Sequence, residues 1–184
     1  CQCSWIKDNL IQTVMKKIAN SRIVIIFALI IIAMLIRLLP HPNNFTPIAA
    51  IALFSGALLG RKWYAFVVPM VIMLLSDIVI GFHSTMWAVY LSFALVVALG
   101  MFLCKNMRFA NVFLTALLSA VLFFLITNFA CYLHGWYGYT LSGLATCYQM
   151  AIPFFRMELL STMVYSLAFW GVYTLVHKKV WAVR

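Results

Sequence analysis

Six apolar stretches, separated by less apolar connections, constrain the fold of this chain more than any other feature. They cover residues of about 21–39, 46–60, 63–82, 86–104, 110–131 and 153–176. Stretches of this length are typical of membrane spans, and in lipid each span must satisfy its own backbone hydrogen bonds. With 66% hydrophobic and 9% charged residues, the sequence predicts an all-α integral membrane protein. We expect six transmembrane helices in a single domain over residues 21–184.

The basic residues predict how this bundle is oriented. Eleven of the thirteen Lys and Arg fall at ends or connections that the alternation of spans assigns to one side: Lys7, Lys16, Lys17, Arg22, Arg61, Lys62, Lys105, Arg108, Lys178, Lys179 and Arg184. Lys and Arg concentrate on the cytoplasmic side of membrane proteins. Both termini are therefore expected in the cytoplasm, and the protein in the bacterial cytoplasmic (inner) membrane. The net charge of +10 then serves contact with anionic lipid, and no nucleic-acid partner is expected.

Residues 1–20 have a pattern of their own. Apolar residues recur at helical spacing among Lys7, Lys16 and Lys17. This pattern predicts an amphipathic helix that lies on the cytoplasmic membrane surface.

Four ionisable side chains fall in the outer half of the predicted bundle: Arg37, Asp77, Arg156 and Glu158. Charges inside spans are costly unless they are paired or face a wet cavity. One interpretation is two internal ion pairs, Arg37 with Asp77 and Arg156 with Glu158, that hold the bundle together. The other is a polar cavity, open to the outside, that binds a ligand.

The segment 132–149 is long, uncharged and rich in aromatic and glycine residues, which predicts an outer loop that covers the cavity as a lid. Interfacial aromatic belts explain part of this composition. Together with the outer polar layer, the segment gives the expected ligand-binding residues: Arg37, His41, Asn44, Asp77, His83, Asn128, His134, Trp136, Tyr139, Tyr148, Arg156 and Glu158.

Small residues recur every four positions in the second stretch, at Ala52, Gly56 and Gly60. This spacing lets a second helix approach closely, either within the bundle or from a partner protein.

Cys131 and Cys147 bracket the predicted lid on the outer side, where a disulfide between them is one possibility. Contact of either sulfur with a ligand and ordinary packing are the alternatives.

Catalytic and metal-binding motifs are not evident. The four histidines are isolated from Cys and carboxylates at zinc-ligand spacing, and no nucleophile set or phosphate-binding glycine loop occurs. We therefore expect a protein that is not an enzyme and has no resident metal or cofactor. Two other hypotheses stay open: a structural or assembly subunit of a larger membrane complex, and a membrane enzyme acting on lipid or quinone through Glu158, Asp77 or His83.

Three strings resemble an uncharacterised bacterial family of small membrane proteins: RLLPHPNNFTPI at 37–48, ALFSGALLG at 52–60 and LSDIVIGFH at 75–83. That family in turn resembles the substrate-binding S components of energy-coupling-factor vitamin transporters. The resemblance implies a six-helix bundle that binds a vitamin or cofactor precursor at its outer face for uptake.

The same resemblance implies a ligand and a partner. A cobalt-containing corrinoid is the leading candidate ligand, because a His or Cys near an aromatic lid could approach cobalt; smaller ring vitamins are the alternative. The implied partner is an energy-coupling module of two ATPases and a transmembrane coupling protein. S components dock this module through alanines four apart on the first span, whereas Ala28 and Ala33 are five apart. Two alternatives follow: the stripe of Ala52, Gly56 and Gly60 serves as the docking surface, or the protein works without the module.

Overall fold

The computed structural model describes residues 31–40, 44–103 and 106–182, with side chains as far as residue 175. The described chain is all-helical: α1 at 31–38, α2 Ile48–Leu59, α3 Tyr64–Ile80, α4 Met86–Leu103, α5 Phe109–Leu133 and α6 Leu141–Ala182. The bounds of α2 to α5 lie within one or two residues of the predicted stretches. The amphipathic helix predicted at 1–20, and His41, lie outside the described residues.

Helix α2 lies at the centre of the bundle and packs most extensively against α4. Its residues from Ile48 to Ala57 are mostly buried, and it also contacts α3, α5 and α6. The contact with α4 is a backbone contact, because a Cβ added at Gly56 would lie 2.0 Å from the Val97 carbonyl oxygen. The small-residue stripe thus packs within the bundle, which leaves Ala52 and Gly56 inaccessible to a partner protein.

Helix α6 is a single element of 42 residues, and it corrects the prediction of a lid loop at 132–149. The actual connection is the seven residues 134–140, since Tyr132 and Leu133 end α5 and Leu141 begins α6. Buried Gly143, Cys147 and Ala151 recur every four residues, which forms one buried helix face. Pro153, where the sixth stretch was expected to begin, lies inside the helix.

Two described helices, α4 and α5, are long and apolar enough to cross a membrane. Helices α2 and α3 are apolar but shorter. Several large apolar side chains are themselves exposed at the surface: Ile78 is 60% exposed and Val79 is 66% exposed. An exposed apolar surface of this kind is typical of contact with lipid or with another protein.

Candidate functional site

A cavity of about 340 Å³ opens between α5 and α6. The connections before α2, between α3 and α4, and between α5 and α6 all reach it, so they share one end of the bundle, which we call the cavity end. Its walls are formed by Asn44, Thr85, Phe123, Phe124, Thr127, Asn128, Cys131, Trp136, Tyr137, Cys147, Met150, Ala151, Phe154, Phe155 and Glu158. The volume lies in the range of small-molecule sites.

Helix α5 supplies one wall through residues at three- and four-residue spacing. Phe124, Thr127, Asn128 and Cys131 lie on one helical face because this spacing follows the helix period. The Thr127 hydroxyl donates to the Phe123 carbonyl at 2.8 Å, and the Asn128 amide nitrogen donates to the Phe124 carbonyl at 2.7 Å. These bonds use the Thr127 hydroxyl hydrogen and one of the two amide hydrogens of Asn128, and they leave both side-chain oxygens and the second amide hydrogen for other partners.

Helix α6 supplies the opposite wall. Its Phe155 ring packs on Phe124 with ring centroids 4.5 Å apart, and the Tyr148 hydroxyl donates to the Leu125 carbonyl at 2.9 Å. Both contacts join α6 to α5 beside the cavity. They hold the two walls at a fixed separation.

Glu158 is the carboxylate of this cavity and is 4% exposed. Its Oε1 accepts a hydrogen bond from the Thr162 hydroxyl at 3.2 Å, one turn along α6. The pair expected with Arg156 does not form: Arg156 is exposed, and residues two apart on a helix point in nearly opposite directions. Among the described residues, no Lys, Arg or His lines the cavity.

The other expected pair does form, away from the cavity. Arg37 Nη1 lies 2.5 Å from Asp77 Oδ1 and also contacts the Ser76 hydroxyl, while the Tyr90 hydroxyl donates to Asp77 Oδ2 at 3.0 Å. Asp77 is 1% exposed. This cluster, which we call the ionic cluster, connects α1, α3 and α4.

The structure therefore divides the expected ligand-binding residues. Asn44, Asn128, Trp136 and Glu158 line the cavity, whereas Arg37 and Asp77 belong to the ionic cluster. The remaining described candidates lie outside the cavity lining: His83, His134, Tyr139, Tyr148 and Arg156. Tyr139 is 71% exposed, and its hydroxyl donates to the Leu133 carbonyl at 3.3 Å. The cavity is thus less charged than the sequence suggested.

Several lining residues escaped the sequence reasoning, among them Thr127, Thr85, Phe124 and Phe155. Thr127 and Asn128 form a polar pair within an otherwise apolar stretch, and this pair was the available signal. The phenylalanines carry no such signal, because apolar rings in a span are equally suited to lipid contact.

Cys131 and Cys147 are buried free thiols. Both line the cavity, and they interact with each other. The proposed disulfide is therefore not formed in this structure, although the two helices bring its sulfurs together.

We expect both thiols to stay free until an oxidant is added. In a variant with Cys1, Cys3 and Cys104 replaced by Ser, diamide should remove the mass of two hydrogen atoms by joining the remaining cysteines. Intact-mass analysis before and after reduction measures this, and Cys147→Ser in the same background is the control. A reducible mass loss before any oxidant would contradict the free-thiol state.

Residues 17–183 match the model of a family of unknown function, DUF6580. Since the match covers nearly the whole chain, the chain belongs to this family. Searches among curated proteins and among solved structures gave no match.

Proposed function

We propose that this member of a family of unknown function is a substrate-binding transport protein of the cytoplasmic membrane, which captures a vitamin-like molecule for uptake. The observation that carries the proposal is the cavity at one end of the bundle, with packed residues below it. Beyond Glu158, α5 and α6 continue with fully buried residues such as Ala116, Ser119, Thr162 and Ser166. A site that is open at one end and filled below suits binding and is unsuited to a continuous channel.

We place the cavity end at the outer face of the membrane. Arg61, Lys62 and Arg108 lie in the connections at the opposite end of the bundle. Basic connections favour the cytoplasmic side. In this orientation a ligand enters from outside, as uptake requires.

Six membrane crossings belong to the same proposal. Helices α4 and α5 are long enough for a crossing, while α2 and α3 extend about 18 and 26 Å at 1.5 Å per residue. The hydrocarbon core is about 30 Å thick. At about 63 Å, α6 exceeds it, so we assign its first turns to the outer interface. The short α2 lies inside the bundle, where neighbouring helices bury most of its residues.

The size of the cavity favours a small ring-bearing molecule over a corrinoid. About 340 Å³ accommodates one or two rings, whereas a corrinoid macrocycle with its side groups is several times larger. Neither His83 nor His134 lines the cavity. Among the described residues, no imidazole is therefore available there to bind the cobalt of a corrinoid. Smaller ring vitamins are therefore our preferred ligands.

Docking to a shared energy-coupling module has less support than ligand capture. Ala33 is 2% exposed, and Ala52 and Gly56 are buried against other helices. These small residues would serve as a docking surface only if the bundle opened. Our proposal of ligand capture does not depend on this module.

The first test is native mass spectrometry of the protein purified from its own host in mild detergent. We expect a stoichiometric bound small molecule. Trp136→Ala should weaken binding of that molecule by about 10-fold or more, because an aromatic wall is lost. Tyr139→Ala is the matched control, since Tyr139 is an exposed neighbour outside the cavity lining, and it should bind as the wild type does. An empty protein held tightly by other membrane subunits would instead favour a structural role.

A further inference from the structure

The inner walls of the cavity present hydrogen-bond acceptors. The Thr127 hydroxyl hydrogen and the Asn128 amide both donate to carbonyls of their own helix. A hydroxyl that donates in this way keeps lone pairs, and an amide that donates one of its two N–H groups keeps its oxygen and the second N–H. With the Glu158 carboxyl group, three oxygen-bearing side chains line one small cavity. A ligand that supplies donors can pair with these oxygens.

Glu158 adds a charge preference to this pattern. It is 4% exposed, and its described side-chain partner is the neutral Thr162 hydroxyl. Burial disfavours the charged form of an unpaired carboxyl group, and a cationic group brought by a ligand would stabilise that charged form. The basic residue nearest to Glu158 along the sequence is Arg156, which is exposed and does not line the cavity.

The remaining wall is aromatic. Phe124 and Phe155 form a ring pair between α5 and α6, and Trp136 lies at the cavity end with 60% of its surface exposed. Aromatic faces attract organic cations as well as flat rings. Acceptors, one carboxyl group and aromatic rings are together a suitable environment for a ring that carries a protonated nitrogen.

We propose that the cavity selects an organic cation, a protonated nitrogen base attached to a flat ring, with Glu158 as its counter-ion. This rests on the proposed function, whose ligand class it narrows. Ligands whose charge comes from carboxylate or phosphate are disfavoured, because they would meet Glu158 without a described cation to pair with.

Three probes with the same ring system test this selection: 1-naphthylmethylamine, 1-naphthalenemethanol and 1-naphthoate. Each is titrated into the detergent-purified protein at pH 7 by calorimetry. The wild type should bind the amine about 10-fold to 100-fold more tightly than the alcohol, as a charge-assisted hydrogen bond predicts. The naphthoate should bind most weakly.

Glu158→Gln is the matched variant, because it keeps the size and hydrogen-bonding capacity of the side chain. It should reduce amine affinity to about that of the alcohol, so that the variant no longer prefers the amine. Thermal unfolding of the same sample establishes that the variant is folded; if it is not, the ranking of the three probes on the wild type decides.

Tight naphthoate binding by the wild type would overturn the proposal, as would equal loss of all three probes in folded Glu158→Gln. An anionic molecule retained from the host would overturn the cation preference and leave the binding function standing. Absence of both probe binding and a retained ligand would count against both.

Discussion

Asp77→Ala is expected to destabilise the folded protein by about 3–5 kcal/mol, the usual cost of removing one partner from a buried ion pair. The substitution leaves the Arg37 guanidinium, 16% exposed, without its counter-ion and takes the acceptor from the Tyr90 hydroxyl. Three helices lose their common polar contact. Unfolding of the purified protein by increasing SDS in mild detergent, followed by circular dichroism, measures the difference.

Two controls separate the ion pair from a general effect of charge. Arg156→Ala removes an exposed cation and should change the free energy of unfolding by less than about 0.5 kcal/mol. The double variant Arg37→Met with Asp77→Leu should recover most of the loss, since it removes both charges and keeps side-chain volume. Equal stability of Asp77→Ala and Arg156→Ala would refute the role of the ionic cluster.

The four ionisable residues expected in the outer half of the bundle show how far the level of a residue along a helix predicts its ion pairs. Arg37 and Asp77 were both expected in the outer half of the bundle, and the structure confirms the interpretation that they pair. Depth says nothing about direction around a helix, however. Arg156 and Glu158 lie at almost the same depth and point to different sides, which made their expected pairing wrong.

The segment 132–149 illustrates a second limit. It was interpreted as a lid loop because it is long, uncharged and rich in aromatic and glycine residues. In the bundle Gly143 has a packing role instead: a Cβ there would lie 2.3 Å from the Gly138 carbonyl oxygen. Tertiary packing therefore overrides local propensity. The four-residue spacing of Gly143, Cys147 and Ala151 carried the helical signal.

The cavity itself could be predicted in part. Asn44, Asn128, Trp136 and Glu158 were identified as polar or aromatic residues near one end of the bundle, and all four line it. Its phenylalanine walls depend on which faces of α5 and α6 meet. Long-range packing determines which faces meet. A sequence that is apolar almost throughout shows no pattern from which this packing could be predicted.

Gly56→Ala is expected to destabilise the protein by about 3 kcal/mol, at the upper end of the usual cost of overpacking. A Cβ at Gly56 would lie 2.0 Å from the Val97 carbonyl oxygen, and one at Gly100 would lie 2.0 Å from the Leu53 carbonyl oxygen. Both obstacles are backbone atoms, which no rotamer change can move. Helices α2 and α4 would have to separate at the centre of the bundle.

Gly171→Ala is the matched control for this prediction, because a Cβ added at Gly171 on α6 would meet nothing within 4 Å. Alanine is favoured over glycine in a helix by about 1 kcal/mol, so this variant should be as stable as the wild type or slightly more stable. Gly100→Ala should resemble Gly56→Ala, since it blocks the same helix contact from the other side. If all three variants unfolded at the same SDS concentration, α2 and α4 could not be in backbone contact, and the buried position of the small-residue stripe would be wrong.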